Sequence, residues 1–281
     1  MQRLTRIATV TASAALLGLA GTVRADVVDT RELMETIPVS ANEPLVVIVK
    51  NIIGPIHVTG HDANRVEMHA TETVRGDLQA DIDRARAEMQ LRTETEPGRV
   101  AFRVRNIDGD SGRRNSNWDN YSIAYDIELR VPRGATLEIS TVNDGDVTVE
   151  DVNGEFDLKN VNGAVRLVRA GGGGSIHTVN GDVDASFARS PSEATSFHTV
   201  NGEVDVTFPA NLSAELAFHT LQGDVFTDFD VESLSAPPEV RRDRGRYVMN
   251  TNHNSAFRVG TGGERHTFNT LNGDILVRKA N

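Results

Sequence analysis

The segment SIHTVNGDVDASF at residues 175–187 returns as SFHTVNGEVDVTF at 196–208 and as AFHTLQGDVFTDF at 217–229. A repeat this close restricts the fold, because each copy must bury the same few residues against its neighbours. Glycines that follow Asn, Asp or Gln mark its period. Gly145, Gly163, Gly181, Gly202 and Gly223 are separated by 18, 18, 21 and 21 residues, and a final copy, HTFNTLNGDILVR, is centred on Gly273. Between them runs a second series of breakers: Gly154, Gly171–Gly174, Ser190-Pro191-Ser192 and Pro209-Ala210-Asn211. Each period therefore holds two strands and two turns, one flattened coil.

Within the coil, Ile176, Phe197, Phe218 and Phe268 lie five before the glycine, and Thr178, Thr199, Thr220 and Thr270 lie three before it. Val183, Val204, Val225 and Ile275 follow the turn, with Ala185, Val206 and Val277 two further on. Period-two alternation places these sets on one face. With coils stacked about 4.8 Å apart, each set becomes a ladder filling a narrow core. The spacing predicts an all-β chain: a β-solenoid, a right-handed parallel β-helix-like stack of 18–21-residue coils. Asn162-Gly163, Asn180-Gly181, Asn201-Gly202, Gln222-Gly223 and Asn272-Gly273 are its structural turns, and Asn162, Asn180, Asn201 and Gln222 form an amide ladder. Asn-Gly also favours the type I′ hairpin turn, with positive φ at both residues, so an antiparallel β-sandwich or meander is the competing arrangement.

The rest of the chain reads around this array. Residues 1–25 have the pattern of a signal peptide, with Arg3 and Arg6 ahead of an apolar run and a Val23-Arg24-Ala25 end. Residues 26–44 read as a leader and 45–281 as a single β-strand-repeat domain, degenerate over 45–134 and regular over 135–281. LVVIVKNIIGPIHVTG at 45–60 is a degenerate first copy suited to capping, and the last copy is expected to cap the other end. One short helix is expected near 77–91, with Asp77 as N-cap and Leu78, Ile82, Ala85 and Met89 on one face. Polar glycine-rich NIDGDSGRRNSN is a loop, and SAPPEVRRDRGRYVMNTNHN at 235–254 is a loop with one short strand.

Charge and cysteine usage bear on compartment and partners. Of 29 basic residues three lie in the signal peptide, so the remainder carries 26 against 40 acidic residues, a formal charge of −14. That disfavours nucleic acid and anionic lipid as partners. No later stretch is apolar enough for a membrane span after signal cleavage. With no cysteine despite an exported destination, a periplasmic or secreted bacterial protein fits best.

The segments VPRGATLEISTVNDGDVTVEDVNGEFDLKNVNGAVRL and TFNTLNGDILV resemble the bacterial putative-adhesin family, exported β-strand-repeat proteins of unknown function akin to the head domain of autotransporter adhesins. The resemblance spans roughly residues 45–281. It implies a solenoid and an envelope or surface role, and supplies no catalytic residue.

Candidate sites are weighed against plainer explanations. His177, His198 and His219, four before their glycines, would stack outward as a metal ladder, but Lys159 and Asn269 at the equivalent places show that coils form without histidine there. Asp182, Glu203 and Asp224, with Asp146, Glu155 and Asp274 at like positions, could bridge calcium, or simply be solvated turn residues; Ala164 breaks their series. Asn106, Asp108 and Asp110 approach a calcium loop, yet Ser111 and Asn117 stand where glycine and glutamate are required. Polysaccharide lyases and hydrolases occur on β-helices, but no acid pair is singled out here. The expectation is a non-enzymatic adhesin, scaffold or binding module without cofactor. Its partner would be an envelope protein or polysaccharide. A carbohydrate-active β-helix enzyme and a cation-stabilised structural module are the alternatives.

Overall fold

A computed structural model describes residues 11–12, 26–106, 121–234, 239–243, 246–250 and 255–280. Apart from Thr11–Ala12, the signal peptide expected at 1–25 lies outside the described residues, as do Asp108, Asp110, Ser111 and Asn117 of the suspected calcium loop.

In chain order the strands begin with β1 (Thr11–Ala12), β2 (Val27–Pro38), β3 (Val46–Lys50), β4 (Ile56–His61) and β5 (Arg65–Gly76). The helix α1 (Gln79–Glu88) follows, then β6 (Met89–Glu96), β7 (Arg99–Asn106) and β8 (Tyr121–Pro132). The regular array comprises β9 (Thr136–Ser140), β10 (Val147–Glu150), β11 (Phe156–Lys159), β12 (Val165–Ala170), β13 (Gly174–His177), β14 (Val183–Phe187), β15 (Thr195–His198), β16 (Val204–Phe208), β17 (Ala214–Gln222) and β18 (Val225–Thr227). Last come β19 (Val231–Ser233), β20 (Glu239–Asp243), β21 (Arg246–Asn250), β22 (Ser255–Val259), β23 (Arg265–Asn272) and β24 (Ile275–Lys279).

Two sheets face each other, and each coil gives one strand to each. One sheet runs β1-β2-β5-β8-β4-β10-β12-β14-β16-β24-β18-β21-β20, the other β19-β22-β17-β23-β15-β13-β11-β9-β3-β7-β6. From β8 to β18 in the first and from β17 to β7 in the second every neighbour is parallel, so the fold is a solenoid and the antiparallel alternative is excluded for the coils. The core between the sheets holds the expected rungs: Ile176, Phe197, Phe268 and Phe218 on one side, Val183, Val204, Ile275 and Val225 on the other, all buried. Phe268 stacks between Phe197 and Phe218 at centroid distances of 5.3 and 5.1 Å.

Stacking order departs from chain order at both ends. The closing copy does not cap the array. Its strands β23 and β24 insert between the Gly202 and Gly223 coils, pairing with β15 and β17 in one sheet and β16 and β18 in the other. At the opposite end the degenerate first copy, β3–β4, is likewise interior, because β7 and β8 pair outside it.

Antiparallel strands do the capping instead: β22, β19, β21 and β20 at one end, and β2, β5 and β6 at the other. Such strands end a parallel stack without leaving a long coil edge open to another chain. Three expectations are corrected accordingly. Residues 26–44 are no leader, since β2 pairs with β5 along its full twelve residues from Val27↔Gly76 to Pro38↔Arg65. The 235–254 segment holds two paired strands, β20 and β21, rather than one. The helix is shorter than 77–91, and Met89 already opens β6; Leu78, expected on its buried face, is 61% exposed, while its N–H is held by the Asp81 carboxylate at 3.0 Å.

Candidate functional site

The expected turn residues all lie at one corner of the solenoid, where the chain passes from the second sheet to the first, but the corner is not a hairpin turn. None of Asn162, Asn180, Asn201 or Asn272 has positive φ. Each instead forms a parallel bridge with its counterpart in the next coil. Glycine is needed here for close approach. A Cβ on Gly181 would lie 2.2 Å from the carbonyl oxygen of Gly163, and one on Gly202 would lie 2.2 Å from that of Gly181. Only a residue without a side chain lets successive coils come together at this point.

Three columns complete the corner. Inside it, Thr178, Thr199, Thr270 and Thr220 donate their hydroxyls to the carbonyls of Gly163, Gly181, Gly202 and Gly273 at 2.9, 2.8, 3.0 and 3.2 Å. Asn160 fills the same role with its amide, 2.9 Å from the Gly145 carbonyl. These buried donors satisfy carbonyls that would otherwise cost a desolvation penalty. On the ridge, the amides of Asn143, Asn162, Asn180, Asn201 and Asn272 form an unbroken ladder, each Nδ2 donating to the preceding Oδ1 at 2.7–2.8 Å. The expected ladder thus exists, but Asn272 stands between Asn201 and Gln222, with which it pairs in register.

Beyond the glycines lies the acidic column, in the order Asp146, Ala164, Asp182, Glu203, Asp274, Asp224. Asp146, Asp182 and Asp274 each accept the backbone N–H of the next coil, from Ala164, Glu203 and Asp224 respectively, at 2.8 Å. These acids are thus tied into the corner. Partial burial and the neighbouring carboxylates of Asp205, Asp182 and Asp274 push Glu203 above the usual carboxylate range.

On the other flank, His177 and His198 stack with ring centroids 4.5 Å apart and planes 5° apart. His219 does not continue the stack, because Asn269 occupies the rung between it and His198. Burial, then the neighbouring imidazoles of His177 and His219, lower the His198 pKa from its ordinary value. Among the described residues no group of three or more His, Asp or Glu side chains is placed to hold a metal ion.

Two buried polar groups escaped the sequence reading. Glu72 is fully buried beneath α1, bound by Arg31 at 2.7 Å, Arg86 at 2.7 Å and the Tyr125 hydroxyl at 2.9 Å, and Arg86 also reaches Asp29 at 2.7 Å. Its signal was register: Val66, Met68, Ala70, Glu72 and Val74 all point inward along β5. His266 is also buried, with Nδ1 2.9 Å from the Thr195 hydroxyl and its ring 5.2 Å from Phe208; burial drops its pKa to about 4.

The family model described as Toastrack DUF4097 matches residues 126–256, from within β8 past β21. Over these residues the chain is similar to the Toastrack domain. The match covers the coils from β9 to β18, which hold most of the corner columns; the inserted coil β23–β24 and the charged cap under α1 fall outside it. The fold is also similar to two solved structures. One is described as "a putative cell adhesion protein from Clostridium sporogenes", 10% identical, TM-score 0.45, covering 89% of this chain and all of that one. The other is described as "a putative adhesin" from Bacteroides fragilis, 11% identical, TM-score 0.36, covering 89% of this chain and 97% of that one. No curated protein matches the chain. No described helix is long and apolar enough to cross a membrane.

Proposed function

We propose that the protein is an exported, non-enzymatic binding or scaffold module of the bacterial envelope, adhesin-like, acting in the periplasm or outside the cell. The observation that carries this reading is the commitment of its chemical groups. Carboxylates and amides at the corner bond along the stack to the next coil, so they build a straight, rigid, polar surface and do not converge on a reacting atom. A cleft of about 280 Å³ lies between the end of β2 and the β6–β7 turn; its lining includes Ile37, Val39, Leu45 and Val100, with Glu43, Glu96 and Arg99 as its charged residues. A surface of repeating columns suits recognition of an extended envelope component, protein or polysaccharide.

The test is incubation of the purified protein with isolated cell-wall and outer-membrane polysaccharides and envelope proteins, reading co-sedimentation and released reducing sugar together. Retention on one envelope fraction without sugar release is expected. Depolymerisation would replace this reading with the carbohydrate-active enzyme.

A further inference from the structure

Six coils place an aliphatic residue just before the ridge amide, and Ile52 takes the same place before Ile53, which bridges Asn143. In stacking order these are Ile52, Val142, Val161, Val179, Val200, Leu271 and Leu221, tied rung to rung by the ridge N–H of each coil donating to the aliphatic residue's carbonyl in the one before. Five are more than a third exposed, Leu221 at 54%. Nothing in the coil requires this: the threonines and glycines hold the corner together, and a polar residue would serve equally at a solvent-facing position. Seven rungs at about 4.8 Å make an apolar stripe roughly 29 Å long.

The stripe's two flanks differ in charge. On the side of the second sheet run Lys50, Lys159, His177, His198 and His219; on the side of the first run Asp146, Asp182, Glu203, Asp274 and Asp224. In the Gly181, Gly202 and Gly223 coils the histidine and the acid occupy the same rung on opposite flanks.

We propose that this corner joins two copies of the chain about a two-fold axis parallel to the solenoid axis. That operation keeps each rung at its own height while exchanging the flanks. His177, His198 and His219 of one copy then oppose Asp182, Glu203 and Asp224 of the other, and the two aliphatic stripes meet between them. The alternative two-fold, perpendicular to the stack, would set acid column against acid column. Crowding among Asp182, Glu203, Asp205 and Asp274 gives a further motive, since an opposed column of imidazole N–H donors offers hydrogen bonds to the carboxylates whose mutual repulsion raises Glu203. Like ladders of Val and Leu interdigitate well when brought face to face. A contact one residue wide is smaller than a permanent interface, so the dimer exchanges with monomer. The inference stands independently of the envelope role.

Sedimentation velocity of the purified protein across a concentration series tests it. A concentration-dependent dimer is expected, abolished in L271K and in V161K while circular dichroism and Tm stay unchanged. Two charge variants decide the geometry: D182R/E203R sets cations against histidines, and H177E/H198E sets acids against acids. Each alone should be monomeric, and a mixture of the two should form a heterodimer. A wild-type monomer at every concentration, a dimer that survives L271K and V161K, or no heterodimer from two folded charge variants would each overturn the proposal; a folded L271K monomer that loses envelope binding while wild type is also monomeric would assign the stripe to a foreign partner.

Discussion

Gly181 illustrates how residue-scale chemistry was half visible. Its place after Asn suggested a turn needing positive φ, whereas the structure uses it to bring two backbones within contact, a distance that depends on the neighbouring coil. Gly181→Ala should therefore clash with the Gly163 carbonyl and cost on the order of 2–3 kcal/mol, measured as a lower midpoint in urea with unchanged slope. His266 makes the pH prediction. Its folded pKa of about 4 lies below the ordinary value of 6.5, so the unfolded chain binds the extra proton first. The stability due to the neutral ring is complete above about pH 6.5 and is lost as pH falls toward 4, a decline on the order of 3 kcal/mol. His266→Phe should flatten that stretch of the stability–pH curve; an unchanged slope would show that the decline belongs to other groups.

At the scale of elements, the alternation of buried and exposed residues along β14, β15 and β16 was legible because period two is written directly in the chain. Pairing partners were less so. The Gly273 copy carries the same signature as its siblings, and no local residue says that β23 slips between β15 and β17 rather than following them. The consequence is testable. Deleting residues 265–281 should not trim an end but remove a central rung, leaving Phe197 and Phe218 without the ring of Phe268 between them. Hydrogen exchange at β15 and β16 should then lose its protection. If those amides stay protected, the last copy is peripheral and the stacking order is wrong.

The whole molecule is a parallel stack closed at both ends by antiparallel strands, and its surface follows from that assembly. By itself the sequence determined the coil, its period, the inward rungs of Phe, Thr and Val, and the polar residues available at the corner, because each of these is a matter of spacing along one chain. Only the tertiary structure decided which coils are neighbours, that β2 pairs with β5 in a cap rather than serving as a leader, that Asn269 interrupts the histidines, and that Glu72 and His266 are buried. Those outcomes depend on contacts between residues far apart in the chain, between strands whose local sequences are nearly interchangeable. Identical rungs fit one another equally well, so the order is chosen by the connections and by the cap each end can bury.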